Sequence, residues 1–415
     1  MSNQYDKQLI HDWNNHNDTQ VVPKQPIEFD DETLRDGLQS PSVFDPPIDE
    51  KVEILHLMVA LGIQAADIAL PAAGPRALND ADALMSEIVS EKLPIFPNCA
   101  ARTVIGDIQP IIDLSQKHGI AIEVACFIGS SPIRQYAESW EYDFLLRCTE
   151  EAVSFAVKHN MPVMYVTEDA TRANPEHVKQ LYSTAIRYGA KRVCLTDTVG
   201  HATPNGTKQL VQFLRDVVDN IDPEVQIDWH GHKDRGLSVA NTLAAIEAGA
   251  NRVHGTALGI GERCGNTPME QILVNCKLLG WISQDLQVLG EYVDTVSRAT
   301  KTPIPNNYPI VGKDAFRTAT GVHAAAIIKA QKKGENWLAD RVYSGVPAGW
   351  IGRKQVIEIG PMSGISNVIY WLESHGHEPN ENIANTIFET AKQNDRTLAD
   401  EEIEEIIKGV ALQAN

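Results

Sequence analysis

Two histidines stand two residues apart in Ile227-Asp-Trp-His-Gly-His-Lys-Asp-Arg-Gly236, at the end of an apolar run. Alternate side chains of a strand share a face, so His230 and His232 can offer two imidazoles to one divalent ion. Taken alone, such a pair is more often two hydrogen-bonded or half-exposed histidines, and its partners decide the matter. Candidate partners follow other apolar runs: Asp31-Glu-Thr-Leu-Arg-Asp-Gly37, Thr167-Glu-Asp-Ala-Thr-Arg172, Thr196-Asp-Thr-Val-Gly200 and Gly259-Ile-Gly-Glu-Arg-Cys-Gly-Asn266. Asp36, His230, His232 and the Asn266 side-chain oxygen would make a mixed oxygen and nitrogen set. Such a set suits Zn²⁺, Mn²⁺, Mg²⁺ or Fe²⁺ and leaves coordination positions open for a substrate.

Those segments share one site only if the elements beneath them align. Short apolar runs predict strands over Ile27–Asp31, Ala65–Leu70, Ile95–Ala100, Ile120–Ile128, Pro162–Thr167, Arg192–Thr196, Val225–Trp229 and Arg252–Thr256. Helical periodicity lies between them, as in Glu50–Leu61, Asp107–Lys117, Tyr142–His159, Glu176–Tyr188, Thr207–Asn220 and Gly236–Ala248. Glycines precede several strands (Gly119, Gly189, Gly249), as helix stops do. Eight strand-then-helix units in about 260 residues predict a (β/α)8 TIM barrel with its chemistry where the strands end. A doubly wound open sheet is the alternative, since sequence does not show closure. Past about Leu289 the rhythm breaks at the proline-rich Thr302–Pro309. A helix near Ala315–Lys332, a Gly/Pro-rich segment Gly345–Gly364 and helices over Asn382–Asn394 and Asp400–Leu412 follow. The expected organisation is an N-terminal arm (1–26), a barrel (27–289) and a smaller, mainly helical C-terminal region (290–415).

The 415 residues are 43% hydrophobic and 22% charged, enough for a large core, and carry a net charge of -19. That charge argues against nucleic acid or an anionic membrane as partner, although an anionic small molecule can still bind a locally positive site. The six cysteines are scattered with no C-x-x-C pair, as reduced thiols in a cytosolic protein would be. Met1–Gln20 has no apolar core of a signal peptide, and no apolar run reaches membrane-spanning length.

Asp31-Glu-Thr-Leu-Arg-Asp-Gly-Leu-Gln-Ser-Pro41 resembles the first-strand motif of the metal-dependent Claisen enzymes: 2-isopropylmalate, homocitrate and citramalate synthases and 3-hydroxy-3-methylglutaryl-CoA lyase. Asp197-Thr-Val-Gly-His-Ala-Thr-Pro204, His230–Gly236, Ala244-Ala-Ile-Glu-Ala-Gly-Ala250 and Gly259–Asn266 are similar to further signatures of that family, in the same order. The resemblance runs from about Ile27 to Trp281 and continues more weakly beyond. It implies that Asp36, His230, His232 and Asn266 hold a divalent metal (Zn, Mn or Mg). That metal would bind the carboxylate and keto oxygen of a 2-oxo acid that condenses with acetyl-CoA. It further implies that Arg35 stabilises the developing oxyanion, that Glu168 relays a proton and that Thr198 binds the oxo-acid carboxylate, with Arg172 as a further substrate contact. An ion pair between Glu168 and Arg172 is the plain structural alternative for both, as an ion pair is for Arg35 and capping for Thr198.

Asn307–His323 is similar to the synthases' segment ending in Ser-Gly-Ile-His, whose histidine enters the neighbouring subunit's site. A homodimer is therefore implied, with His323 and Tyr343 as candidates for work on the acetyl-CoA methyl group. A helix-face histidine and a core tyrosine are the structural alternatives. The lyase cysteine belongs where this chain has Ala257; the cysteine it does carry in that loop, Cys264, lies two residues before Asn266. A synthase therefore fits better than a lyase. Ala125 and Val166 stand where isopropylmalate synthases usually have His and Ser, and Lys233 replaces a common Asn. The oxo-acid pocket is thus expected to be more apolar, with 2-oxoisovalerate the default substrate (giving 2-isopropylmalate and CoA) and pyruvate or another alkyl or aryl oxo acid the alternative. Homocitrate-type chemistry would need Arg134 or Lys233 to meet a second carboxylate. Leucine-regulated synthases carry a further domain of about 100 or more residues, so its absence here is an expectation of no such feedback. A non-catalytic metal-binding barrel is the reading from a different class.

Overall fold

Along each strand the side chains alternate between a face sealed by helices and a face turned to the barrel interior, and the two faces differ in chemistry. The computed structural model describes residues 9–18, 21–23 and 25–413, so part of the expected N-terminal arm lies outside the described residues. Eight parallel strands close into a barrel in sequence order: β1 (Glu28–Asp31), β2 (Ala65–Ala69), β3 (Phe96–Arg102), β4 (Glu123–Gly129), β5 (Val163–Glu168), β6 (Arg192–Asp197), β7 (Gln226–Gly231) and β8 (Arg252–Gly255). Closure is explicit in the register, because Asp30 of β1 pairs with Ala65 on one side and His254 on the other. The open-sheet alternative is therefore excluded.

The helix-facing side is apolar, as with Phe29, Val124, Val193, Ile227 and Val253, all fully buried. Asn174 and Thr203 cap Pro175–Arg187 and Pro204–Asp219 by accepting from Glu176 N and Gly206 N, and proline opens both helices where no amide is needed. Pro75–Ser90, a further helix of the ring, packs against β2.

The interior is built differently. Asp30, Glu123, Arg192, Asp228, Arg252 and His254 project there and pair with one another. Arg252, 1% exposed, donates to Asp228 at 2.7 Å and Glu123 at 2.5 Å, and lies 3.7 Å from Asp30. Arg192 reaches Asp228 at 2.8 Å and Glu28 at 2.9 Å. Buried charge survives only when paired, and here it packs the barrel in place of hydrocarbon.

The chain divides into two compact units, the first running from His11 to Pro303. Helix Leu289–Thr300 lies within that unit: Tyr292 donates its hydroxyl to Asp31, and Arg298 pairs with Glu53 at 2.9 Å. The barrel unit thus extends past the expected edge at 289. In the second unit β9 (Arg317–Thr318) and β10 (Val356–Ile357) form a small parallel sheet, so the helix expected from Ala315 starts at Gly321 and runs to Lys332. Ile365–Ser374 is a helix not foreseen from the sequence. Its Val368, Trp371 and Leu372 pack with Ile387 and Ile403 of helices Glu381–Gln393 and Asp400–Gln413. Among the described residues, no helix is long and apolar enough to cross a membrane.

Candidate metal centre and active site

The strand ends of the barrel surround a pocket at the C-terminal mouth, the position expected for the chemistry of this fold. From β7 into the residue that follows it, Asp228, His230 and His232 alternate toward the interior: the first is committed to the charge network below, and the other two reach the mouth. His230 Nε2 and His232 Nε2 stand 3.1 Å apart, and Asp36 Oδ2 lies 3.7 and 3.9 Å from them. These atoms converge as ligands of one ion would, and all three side chains are buried.

Asp36 Oδ2 has no hydrogen-bond partner, and neither has Asn266 Oδ1. Asn266 is drawn beside His232 by an antiparallel bridge, and its Nδ2 donates to Ile260 O at 3.2 Å, leaving the oxygen free. Buried acceptors without donors are costly unless a cation completes them. Burial, with His230 beside it, pushes His232 down to about 4, so its ring is neutral, as a ligand must be. The residues present therefore fit a divalent metal.

The loop that carries Asn266 has little freedom. Gly265 sits at φ +104°, where a Cβ would fall against the Gly259 carbonyl. Lys233 N donates to Gly265 O at 2.9 Å, and its ammonium donates to Leu258 O at 3.0 Å. Lys233 thus pins this loop and does not line the pocket. Arg134 does not line this pocket but an adjoining depression that shares Glu168 and Thr198, where it pairs with Glu138 at 3.1 Å beside Trp140. Neither reaches the apolar wall of the pocket itself.

Arg35 lines the pocket and is held by three carboxylates: Asp67 at 2.6 Å, Asp36 at 3.0 Å and Glu32 at 3.2 Å. An exposed ion pair does not describe it. A guanidinium has five N–H donors, so some remain for an anion in the pocket. Glu168 also lines the pocket, and burial raises its carboxyl above the usual range against the pull of Arg134. The alternative ion pair with Arg172 does not form: Arg172 binds the neighbouring Asp169 at 2.7 Å and belongs to the adjoining depression that shares Glu168 and Thr198. Thr198 reaches the pocket with its hydroxyl accepting from Asp169 N at 2.8 Å.

Ala125, Met164 and Cys194 form a buried apolar cluster with Val166 against it, and all four line the pocket. The apolar wall expected from Ala125 and Val166 is present. His323 and Tyr343, in the second unit, stack with ring centroids 4.0 Å apart, and Tyr343 is 48% exposed, so it is not a core tyrosine. Ala257 is buried in the turn after β8, while Cys264 is exposed.

Two residues of the site were not foreseen, Glu32 and His254. Glu32 Oε2 lies 2.7 Å from His230 Nδ1, within reach but not aligned as a hydrogen bond, and Oε1 lies 3.0 Å from His254 Nδ1. Burial works against a charged His254, but Glu32 and Asp228 raise it to about 10. The signal was in the alternation: Asp30 and Glu32, then Arg252 and His254, share the inward face of their strands.

Residues 26–296 match the HMGL-like family. The chain belongs to that family. This HMGL-like chain is 33% identical to the homocitrate synthase AksA of Methanopyrus kandleri, over 94% of its own length and 93% of that protein's. It is 32% identical to a probable 2-isopropylmalate synthase of the same organism, across 88% of this chain and 69% of the other. It is 34% identical to the 2-isopropylmalate synthase of Lactococcus lactis subsp. cremoris, across 73% of this chain and 59% of the other. Among solved structures, hydroxymethylglutaryl-CoA lyase from Pseudomonas aeruginosa has a TM-score of 0.56 at 19% identity, covering 67% of this chain and 94% of that one. That likeness is one of fold.

Proposed function

We propose that the chain is an acyltransferase that condenses acetyl-CoA with a 2-oxo acid bearing an apolar side chain, by default 2-oxoisovalerate, after which water cleaves the thioester to give 2-isopropylmalate and CoA. The observation that carries this reading is the convergence of Asp36, His230 and His232 beside Arg35, above an apolar wall of Ala125, Met164, Val166 and Cys194. A divalent ion held by Asp36, His230, His232 and Asn266 supplies Lewis-acid polarisation of the keto group.

The chain's own residues do the rest. Arg35 directs its remaining N–H donors at the oxygen on which charge develops as the new carbon–carbon bond forms. The Thr198 hydroxyl meets the oxo-acid carboxylate, and Glu168, with its raised affinity for protons, moves a proton at the reacting centre. The apolar wall takes the alkyl group and excludes water. His323 and Tyr343 are assigned to the acetyl methyl group, presented to the site of a second copy in a homodimer.

Homocitrate synthesis is the second reading, favoured by the similarity to AksA across nearly the whole chain. It requires a cation facing the distal carboxylate of 2-oxoglutarate. The apolar wall offers none, Lys233 is engaged with the loop after β8, and Arg134 pairs with Glu138 in the adjoining depression outside that wall. The alkyl oxo acid is therefore preferred.

The test is release of free CoA from acetyl-CoA with 2-oxoisovalerate, pyruvate and 2-oxoglutarate, each with and without chelator. Chelator-sensitive release that is fastest with 2-oxoisovalerate is expected. Release with 2-oxoglutarate alone would transfer the assignment to homocitrate synthesis, and no release with any acid would leave a metal-binding barrel without this activity.

A further inference from the structure

Glu32 stands at the junction between the charge network inside the barrel and the residues at its mouth. It is 3% exposed and contacts three groups at once: His230 Nδ1 at 2.7 Å, His254 Nδ1 at 3.0 Å and Arg35 Nη2 at 3.2 Å. His254 is held from its other side, its Nε2 lying 2.9 Å from Asp228 Oδ2. Asp228 is in turn fixed by Arg252 at 2.7 Å and Arg192 at 2.8 Å. A continuous chain of paired charges thus runs from the barrel floor through Asp228, His254 and Glu32 to the metal ligand His230 and the pocket cation Arg35.

Glu32, His230 and His254 also lie close enough together to be read as a metal site of their own. The pairing excludes this. Both nitrogens of His254 face carboxylates, which only accept, so both must carry hydrogen and neither keeps a lone pair. His230 differs: Nδ1 faces Glu32, and Nε2 faces His232 and Asp36.

We propose that Glu32 is a positioning residue, fixed by His254, that sets the ring orientation and hydrogen placement of His230 so that Nε2 is presented to the metal, and that couples this ligand to Arg35. A ligating histidine held through its second nitrogen by a carboxylate binds its metal more tightly, and loss of that partner costs about 10–100-fold in affinity. The inference rests on the metal-dependent reading of the site, and binding is measured apart from turnover.

The experiment is calorimetric titration of the metal-free full chain with Mn²⁺, and separately Zn²⁺. Glu32→Gln is expected to weaken binding by roughly 10–100-fold. Glu32→Asp, whose shorter arm cannot span both histidines, and His254→Gln should weaken it in the same direction. Asp31→Asn, at a buried carboxylate on the opposite face of β1, should leave the affinity unchanged. Wild-type affinity in folded Glu32→Gln or Glu32→Asp would overturn the inference alone, and so would equal weakening in Asp31→Asn. No binding by the wild-type chain would overturn the metal-dependent reading and the inference with it.

Discussion

Replacing Arg252 with Met tests whether the charged interior holds the barrel together. The substitution keeps an unbranched side chain of nearly the same reach and removes the cation. Its three carboxylates would not suffer equally. Asp228 keeps Arg192 at 2.8 Å and His254 at 2.9 Å, and Asp30 keeps two bonds from Asn98 at 2.9 and 3.0 Å. Glu123 keeps only Arg192, at 3.5 Å, after losing a partner at 2.5 Å. The cost therefore concentrates on Glu123, as an uncompensated buried charge worth about 3–5 kcal/mol. Urea unfolding of the single variants and the double variant measures it. Arg252→Met should lose about 3–5 kcal/mol, and adding Glu123→Gln should restore part of the loss, although Glu123→Gln alone destabilises the wild type. Arg192 and Arg252 hold Asp228 well below the usual carboxylate range despite its burial, so the share of the deficit that falls on Asp228 should shrink as pH falls below that range. A loss under about 1 kcal/mol, the size of an exposed pair, would refute the reasoning. So would a double variant in which the two costs simply add.

Two further outcomes follow from the mouth and the outer face of the barrel. Val166→Ala removes two carbons from the apolar wall, about 1.6 kcal/mol of contact with a branched substrate, so kcat/KM for 2-oxoisovalerate should fall roughly 15-fold and that for pyruvate much less. Equal losses on the two acids in steady-state assays would remove Val166 from the substrate's side-chain contacts. Burial raises Asp31 from 3.8 to about 7, so the folded chain keeps a proton there that the unfolded chain has released. The associated stability, on the order of 4 kcal/mol, is fully present below about pH 4 and lost as pH rises through about 7. Asp31→Asn keeps the neutral form, so urea unfolding at pH 5 and pH 8 should show the balance moving toward the variant at the higher pH.

The barrel was legible in the sequence because its strands and helices differ in period, and each of the eight strands falls within three residues of its expected ends. The proposed metal ligands stood out for a related reason, as polar residues just past apolar runs, and the structure brings Asp36, His230 and His232 together. Glu32 and His254 were missed because charge inside a strand reads as exposure until closure turns that face inward. For Arg172, read as a substrate contact with an ion pair to Glu168 as the structural alternative, the ion-pair partner is the adjacent Asp169, a distinction of one residue that spacing alone does not draw. In the C-terminal unit, two-residue strands are too short to leave a periodic trace, and Ile365–Ser374 follows directly on a Gly/Pro-rich stretch that masks its start.

The pocket divides its duties around the ring of strands. Ala125, Val166 and Cys194, from β4, β5 and β6, form the apolar wall, while the proposed metal ligands come from the β1 loop, β7 and the loop after β8. On the proposed function, substrate choice and metal chemistry would be inherited on opposite arcs of one barrel. Mutation would then redraw which acid is accepted, one wall residue at a time, without passing through a form that has lost its ion. An ancestor with this arrangement could diversify by duplication alone, each copy retuning its wall around an unchanged reaction.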